Sequence, residues 1–350
     1  MKRGWLAAGA ALAALVVLEA VLRLGGYATP DLHQLDPQLG WSLRPHKQGW
    51  YAGDEGRTRV AINPAGFRDR ERALDKPDPV YRIAVLGDEY SEAMAVALRD
   101  TWWWRLEPTL QHCDFRPGKL IEVLNFGVAG YGTAQELILL QSAVMRYAPD
   151  LVLLQFSPDD VLDNSFALAA NKLRPFFFLD AHGVARIDDS FTSSPAFDRR
   201  MQTRYRLAAE IGDHARAFQL VRELAHVAFI PPAHAESAVA SGPLYDEAWR
   251  VSEALIGKAT DFARRNGAEL ALVVIPPKRQ AGETMSQADQ RLAALGEKLH
   301  VRVISLGGAL QSAHYAPSGG WTTAGHGAAG AAIAKELCTP RLPKTTAQPG

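Results

Sequence analysis

The sequence predicts an α/β three-layer sandwich of the flavodoxin-like kind, with five parallel strands between two layers of helices. Three observations predict it: five short apolar runs, helical stretches between them, and loops rich in Gly, Asp and Asn directly after the first three runs. Short apolar runs that alternate with helices read as parallel strands, because a parallel pair needs a crossover long enough to hold a helix.

The first element is not part of that pattern. Lys2 and Arg3 precede an uncharged run from Trp5 to Leu18 that continues past Glu19 to Leu22 and Arg23. Counted to Leu24 it spans about 20 residues, the length a helix needs to cross a bilayer core. The segment 1–27 is therefore expected to be a signal anchor, with Glu19 and Arg23 paired on one face near the far interface. The two basic residues favour a cytoplasmic N-terminus and an extracytoplasmic domain. Gly26-Tyr27-Ala28 is a small-x-small site, so cleavage there is the rival expectation.

Residues 28–80 are rich in Pro, Gly and charge, show little periodicity, and read as an extended lead-in. The alternating region, 81–338, follows. Its strands are expected at Ile83–Leu86, Ile121–Asn125, Leu151–Phe156, Leu270–Ile275 and Val301–Ile304. Helices are expected near Trp102–Gln111, Thr133–Tyr147, Glu247–Arg265, Ala288–Leu299 and Ala324–Leu337. The uninterrupted run at Leu151–Phe156 marks a strand buried on both sides. Between about 163 and 243 the alternation lapses into a large insertion holding Phe176, Phe177 and Phe178 and a helix near Thr203–Ala225. The Pro/Thr-rich tail 339–350 has the composition of a disordered segment.

Composition excludes several functions. Of 350 residues 47% are hydrophobic and 22% charged, enough for one sizeable core. Lys+Arg and Asp+Glu both total 38, so no basic stripe marks a nucleic-acid partner. Ten histidines are scattered without ligand spacing, and there is no Gly-rich phosphate loop. No metal and no cofactor is expected. Cys113 and Cys338 fit an exported protein that oxidises them to one disulfide, with two unpaired thiols the alternative.

The loops after the strands carry the chemistry of such folds. After the first comes Gly87-Asp88-Glu89-Tyr90-Ser91, after the second Asn125-Phe126-Gly127-Val128-Ala129-Gly130, and after the third Ser157-Pro158-Asp159-Asp160. Together they resemble the first three blocks of the SGNH (GDSL-type) hydrolases, in a bacterial branch with a single membrane anchor. Leu39-Gly40-Trp41, Gly66-Phe67-Arg68-Asp69-Arg70-Glu71 and Pro175–Asp180 resemble further elements of that branch. The resemblance implies a Ser nucleophile in a Gly-Asp-Ser turn, a Gly N–H and an Asn side chain as oxyanion donors, and a late Asp and His.

Carried over residue by residue, the nucleophile falls on Glu89, the glycine on Gly130 and the asparagine on Asp159. The late block reads Ala316-Pro317-Ser318-Gly319-Gly320-Trp321, so Ser318 or Pro317 stands for Asp and Gly320 for His. Glu89 has no hydroxyl, and an ionised Asp159 only accepts hydrogen bonds and would repel an oxyanion. Losing the serine or histidine of a well-studied protease costs on the order of 10⁶ in turnover. The resemblance thus implies a catalytically degenerate domain that binds or organises an envelope or polysaccharide ligand or partner.

Other readings of these residues compete. Ser91 as nucleophile, with His326 as base and Asp160 as support, would make a rearranged esterase or acetyl-transfer site on acylated carbohydrate or lipid. Ser91 lies two residues past the turn, however, and His326 suits capping or packing better. Glu89 opposite Asp159 could act as a carboxylate pair with one raised pKa; the simpler expectation is that Glu89 fills a polar crevice. Trp102, Trp103 and Trp104 could stack on sugars but read more readily as core. The insertion could equally dock a protein of a membrane complex.

Overall fold

The computed structural model describes residues 2–225, 241–278, 282 and 286–339. The expected disordered tail beyond 339 and the Ala-rich stretch at 226–240 lie outside the described residues.

The apolar N-terminal run forms one helix, α1 (Lys2–Leu24), in which Arg3–Leu24 has a mean hydropathy of 2.2 and no buried share. By length and composition it can cross a membrane. Glu19 and Arg23 pair at 2.7 Å, as their spacing of four predicts. The lead-in is more ordered than its weak periodicity suggests. Strand β1 (His33–Asp36) pairs antiparallel with β2 (Gly40–Leu43), and β3 (Gln48–Gly53) with β4 (Gly56–Ala61). None of the four is a continuous apolar run like those that mark the core strands.

The core follows in order: β5 (Val80–Leu86), α2 (Glu89–Glu92), α3 (Trp102–His112), β6 (Leu120–Asn125), α4 (Thr133–Ser142), β7 (Leu151–Phe156) and α5 (Pro158–Asp163). The insertion contributes β8 (Phe176–Leu179), paired antiparallel with β9 (Ala185–Asp188), and α6 (Pro195–Met201), α7 (Thr203–His214) and α8 (Arg216–Leu224). The chain closes with α9 (Pro243–Arg265), β10 (Glu269–Val274), α10 (Gln287–Leu299), β11 (Arg302–Ser305) and α11 (Thr323–Cys338).

The five core strands lie in the order β6-β5-β7-β10-β11, every neighbouring pair parallel. That is the flavodoxin-like order, and it fits the SGNH-type α/β sandwich implied by the three loop blocks. Alternation sends Ile83, Val85, Val123 and Leu153 to one face, where Trp102, Trp103 and Leu106 of α3 and Ile333 of α11 cover them. Ala84, Leu86, Leu124 and Leu154 go to the other, under Leu137 of α4, Leu255 of α9 and Leu292 of α10. The Trp run is therefore core at Trp102 and Trp103, both buried, while Trp104 is half-buried under the guanidinium of Arg70, 3.9 Å from its ring centre.

Two helices differ from the sequence reading. The helix expected over Thr133–Tyr147 ends at Ser142: Ala143 leaves helical geometry (φ −129°) and a single 3₁₀ turn, Val144–Tyr147, replaces the rest. The helix expected over Thr203–Ala225 is broken by extended backbone at Ala215 (φ −91°, ψ 102°) into α7 and α8. Neither site holds Gly or Pro, so apolar periodicity runs through both breaks unmarked. Cys113, directly after α3, and Cys338, the last residue of α11, form a disulfide with Cα atoms 6.1 Å apart. It staples the two helices of one layer across a sequence separation of 225.

Candidate functional site

The crevice lies beyond the carboxyl ends of β5, β6 and β7, where the strand order reverses and loops from adjacent strands part. Asp88 caps α2: its Oδ1 accepts the Tyr90 N–H at 3.0 Å and a bond from Gln155 Nε2, and its Oδ2 accepts the Ser157 hydroxyl at 3.4 Å. One buried carboxylate thus ties the loops after β5 and β7 together.

Glu89, the next residue, is half-buried and points its carboxyl at the loop after β6. The Gly130 N–H donates to Glu89 Oε2 at 3.4 Å. Burial pushes the Glu89 carboxyl up to about 8, opposed by the backbone N–H of Glu89 itself and of Gly130 and reinforced by the charges of Asp159 and Asp163. At neutral pH it is chiefly the neutral acid, a form able to donate as well as accept. Glu89, Gly130 and Asp159 are thus brought together.

Three hydrogen bonds to Arg174 and Trp41 hold the Gly130 loop. Arg174, from the insertion, donates to the Gly130 carbonyl at 2.9 Å while pairing with Asp163 at 3.2 Å and stacking over Trp41. Trp41 Nε1 donates to the Ala129 carbonyl at 3.0 Å, and the Tyr131 hydroxyl returns to the Trp41 carbonyl at 2.5 Å. The Gly-Trp element is therefore a clamp on the loop that presents the Gly130 amide. The Gly66-Phe67-Arg68-Asp69-Arg70-Glu71 element acts on the neighbouring loops. Buried Arg68 donates to the carbonyls of Glu92, Ala93 and Val96, and Asp69 accepts the Asn125 N–H at 3.0 Å, so this motif braces the loops after β5 and β6.

Ser91, Asp160 and His326 each have other surroundings. The buried Ser91 hydroxyl donates to Gln155 Oε1 at 2.5 Å, with its side chain against Gly127, where any Cβ would collide with it. Asp160 Oδ2 accepts the Ser157 N–H at 2.6 Å in a capping box. Burial pushes both its carboxyl and that of buried Glu136 well above the carboxylate range, with the charge of Glu136 adding to the effect on Asp160 and that of Asp88 to the effect on both. His326 sits in the first turn of α11 with its ring edge on Trp321, centroids 5.5 Å apart, and a buried Nδ1 that has no hydrogen-bond partner among the described residues. Burial, helped by Arg68 and Arg105, holds it down to about 3, so it is neutral throughout the physiological range. Hydrogen bonding does not join these three residues.

In the late loop the Ser318 N–H and hydroxyl both donate to Asp54 Oδ2, at 3.0 and 2.5 Å. Glu55 Oε2 accepts the Thr323 N–H at 2.7 Å and its hydroxyl at 2.9 Å, adding a carboxylate to the N-terminus of α11. The tip of the β3–β4 hairpin therefore closes over the segment where the resemblance places Asp and His. Gly320 adopts φ 73°, a conformation a His side chain there would strain.

Sequence reasoning did not single out His33, Tyr51 or Glu92. His33 Nε2 lies 2.8 Å from Glu92 Oε1, and Glu92 Oε2 accepts the Ala129 N–H at 2.5 Å. Burial works against the His33 charge, but Glu92 and Asp31 outweigh it and raise its pKa. Desolvation of the hydroxyl of Tyr51, a residue that is 41% exposed overall, and the nearby carboxylates of Glu92, Asp54 and Glu89 likewise raise its pKa. His33 and Tyr51 come from hairpins far upstream, and no local motif links them to the crevice. An open cleft of about 550 Å³ lined by Arg57, Arg59, Arg99 and Trp104 does not include Glu89.

Comparison with known proteins adds the following. No protein-family model matches the chain, and no curated protein is similar to it. Among solved structures it is similar to TesA, at 16% identity over 73% of this chain and 98% of that one, with a TM-score of 0.41. It is similar to a lipase/acylhydrolase from Enterococcus faecalis at 14% identity, over 75% and 100% of the chains, with a TM-score of 0.36. It is also similar to the acetylxylan esterase Axe2 from Geobacillus stearothermophilus at 11% identity, over 73% and 94%, with a TM-score of 0.39. At these identities and scores the likenesses carry nothing about activity or substrate.

Proposed function

We propose that this chain is a membrane-anchored SGNH-type domain that binds or organises an envelope or polysaccharide ligand or partner and does not cut esters. The observation that carries the reading is the carboxyl of Glu89 on the Gly130 amide. In an acyl-transfer site that amide receives the oxygen on which negative charge develops. Here the chain's own acid fills the position, and the side chain replacing the nucleophile is the one that fills it. The serine hydroxyls nearby are directed to Gln155, Asp88 and Asp54 rather than to a histidine.

On this reading the domain lies outside the cytoplasm, tethered by α1 at the inner membrane. The positive charges of Lys2 and Arg3 at the start of an apolar span support that orientation. The Cys113–Cys338 disulfide supports an oxidising compartment. A crevice of neutral and ionised carboxyls, with Tyr51 and His33 at its border, suits the hydroxyls of a carbohydrate better than a phosphate.

A second reading, an esterase or acetyl-transfer enzyme with a rearranged site, is favoured by one observation: the His33–Glu92 ion pair supplies a histidine backed by a carboxylate. The two readings separate in one assay. The full chain in detergent is tested on a chromogenic acetyl ester beside Glu89→Ser, Ser91→Ala and His33→Gln variants. The binding-domain reading expects the parent and the last two variants to match the buffer blank. Turnover by the parent that Ser91→Ala or His33→Gln abolishes would overturn it.

A further inference from the structure

The insertion helices α7 and α8 are amphipathic in the inverted sense. A helix on a soluble domain turns its apolar side inward and its charged side to water. On α8 the polar side is sewn to the protein. Gln219 is buried and accepts the Thr29 N–H at 2.8 Å, Arg222 donates to the Thr29 carbonyl at 2.6 Å, and Glu223 accepts from Tyr27 at 2.5 Å and from Arg57 at 2.9 Å. The apolar side faces out: Phe218, Val221 and Leu224, three apart on one face, are between 49% and 72% exposed. Leu207 and Ile211 of α7 are exposed as well, and the Phe218 ring packs over Gly212, which brings the apolar residues of the two helices side by side.

The position of this surface identifies what covers it. Glu19 Oε2, within α1, accepts the Ala217 N–H at 2.9 Å, and Arg23 donates to the His214 carbonyl at 2.5 Å. The break between α7 and α8 is therefore fastened to the last two turns of α1. Glu19 lies five residues before Leu24, or about 7–8 Å along the helix axis. Interfacial helices bury their apolar face about 5–10 Å into the boundary between headgroups and acyl chains. If α1 spans the bilayer, as proposed above, the start of α8 lies at that depth.

We infer that α7 and α8 lie in the outer lipid–water interface beside the end of α1, with Leu207, Ile211, Phe218, Val221 and Leu224 against the acyl chains. The contact rests on the reading of α1 as a membrane span and goes beyond it. It makes the insertion a second membrane attachment, and it fixes the domain's height and tilt above the bilayer, which a lone helix followed by a flexible link would leave free.

Spin-label depth measurements on the full chain in phosphatidylethanolamine/phosphatidylglycerol vesicles test it. The two native cysteines are disulfide-bonded, so Leu12→Cys, Val221→Cys and Glu297→Cys each introduce a single reactive thiol. Val221 is 63% exposed, so its replacement removes little packing. The label at 221 is expected to collide several-fold more with oxygen than with a water-soluble nickel chelate, as at 12 but at shallower depth, with the reverse at 297. A label at 221 that behaves as at 297 overturns the inference while leaving a lipid-embedded position 12, and with it the anchor, intact. A label at 221 shielded from both reagents also overturns it, by showing a protein partner on the face. Water around position 12 removes the anchor reading and this inference together.

Discussion

At Glu89 two effects oppose each other. Burial among Asp159 and Asp163 disfavours the charged form, while the amides of residues 89 and 130 favour it, and burial wins. A carboxyl whose folded pKa rises from 4.5 to about 8 contributes stability that is fully present below its unfolded pKa. That contribution is lost as pH rises from about 4.5 through 8. Glu89→Gln has the same shape and cannot ionise, so it is expected to change the urea midpoint little at pH 5. At pH 9 it should stabilise by on the order of 3 kcal/mol. Parallel denaturation curves at the two pH values check the sign. The sequence made this residue legible as the position where the resemblance places a nucleophile, in a turn after a strand, because both turn and strand are local. It did not make the raised pKa legible, since that depends on the carboxylates of Asp159 and Asp163, 70 and 74 positions away in the chain.

At the scale of elements, the β3–β4 hairpin does what the sequence of the lead-in did not announce. Its tip places Asp54 on Ser318 and Glu55 on the first turn of α11. A carboxylate on a helix N-terminus is worth about 1 kcal/mol. Glu55→Gln is therefore expected to cost roughly 0.5–1 kcal/mol and to lower the protection of the Thr323 and Ala324 amides in hydrogen exchange. Equal protection in variant and parent would show that the tip is not docked. The core strands were legible from their apolar runs and the helices between them. The hairpins were not, because their strands hold no apolar run and pair through backbone groups that every sequence carries. The breaks at Ala143 and Ala215 were hidden for the converse reason: alanine suits a helix and gives no stop signal.

At the scale of the whole molecule, the parts that depart from a plain sandwich converge. The Gly-Trp element, Arg174 of the insertion and the Glu92–His33 pair all close on the loop that presents Gly130. The residues just after α1 bind α8, so anchor, lead-in and insertion form one continuous structure. The disulfide closes the chain over a separation of 225 residues and joins the helices of one layer. Such a frame holds the Gly130 amide in place while its acceptor is the protein's own acid. That arrangement is what the proposed binding role rests on.

The contact between Glu89 and Gly130 is therefore the point to measure. With ¹⁵N-glycine in the full chain in detergent, the Gly130 amide shift is followed from pH 4 to 10, and Glu89→Gln assigns the transition. A single step in the Gly130 shift with a midpoint near 8, absent from the variant, is the result expected of a half-buried acid seated on that amide. A midpoint in the ordinary carboxylate range, or a Gly130 signal indifferent to the substitution, would contradict it and leave the amide open to a substrate.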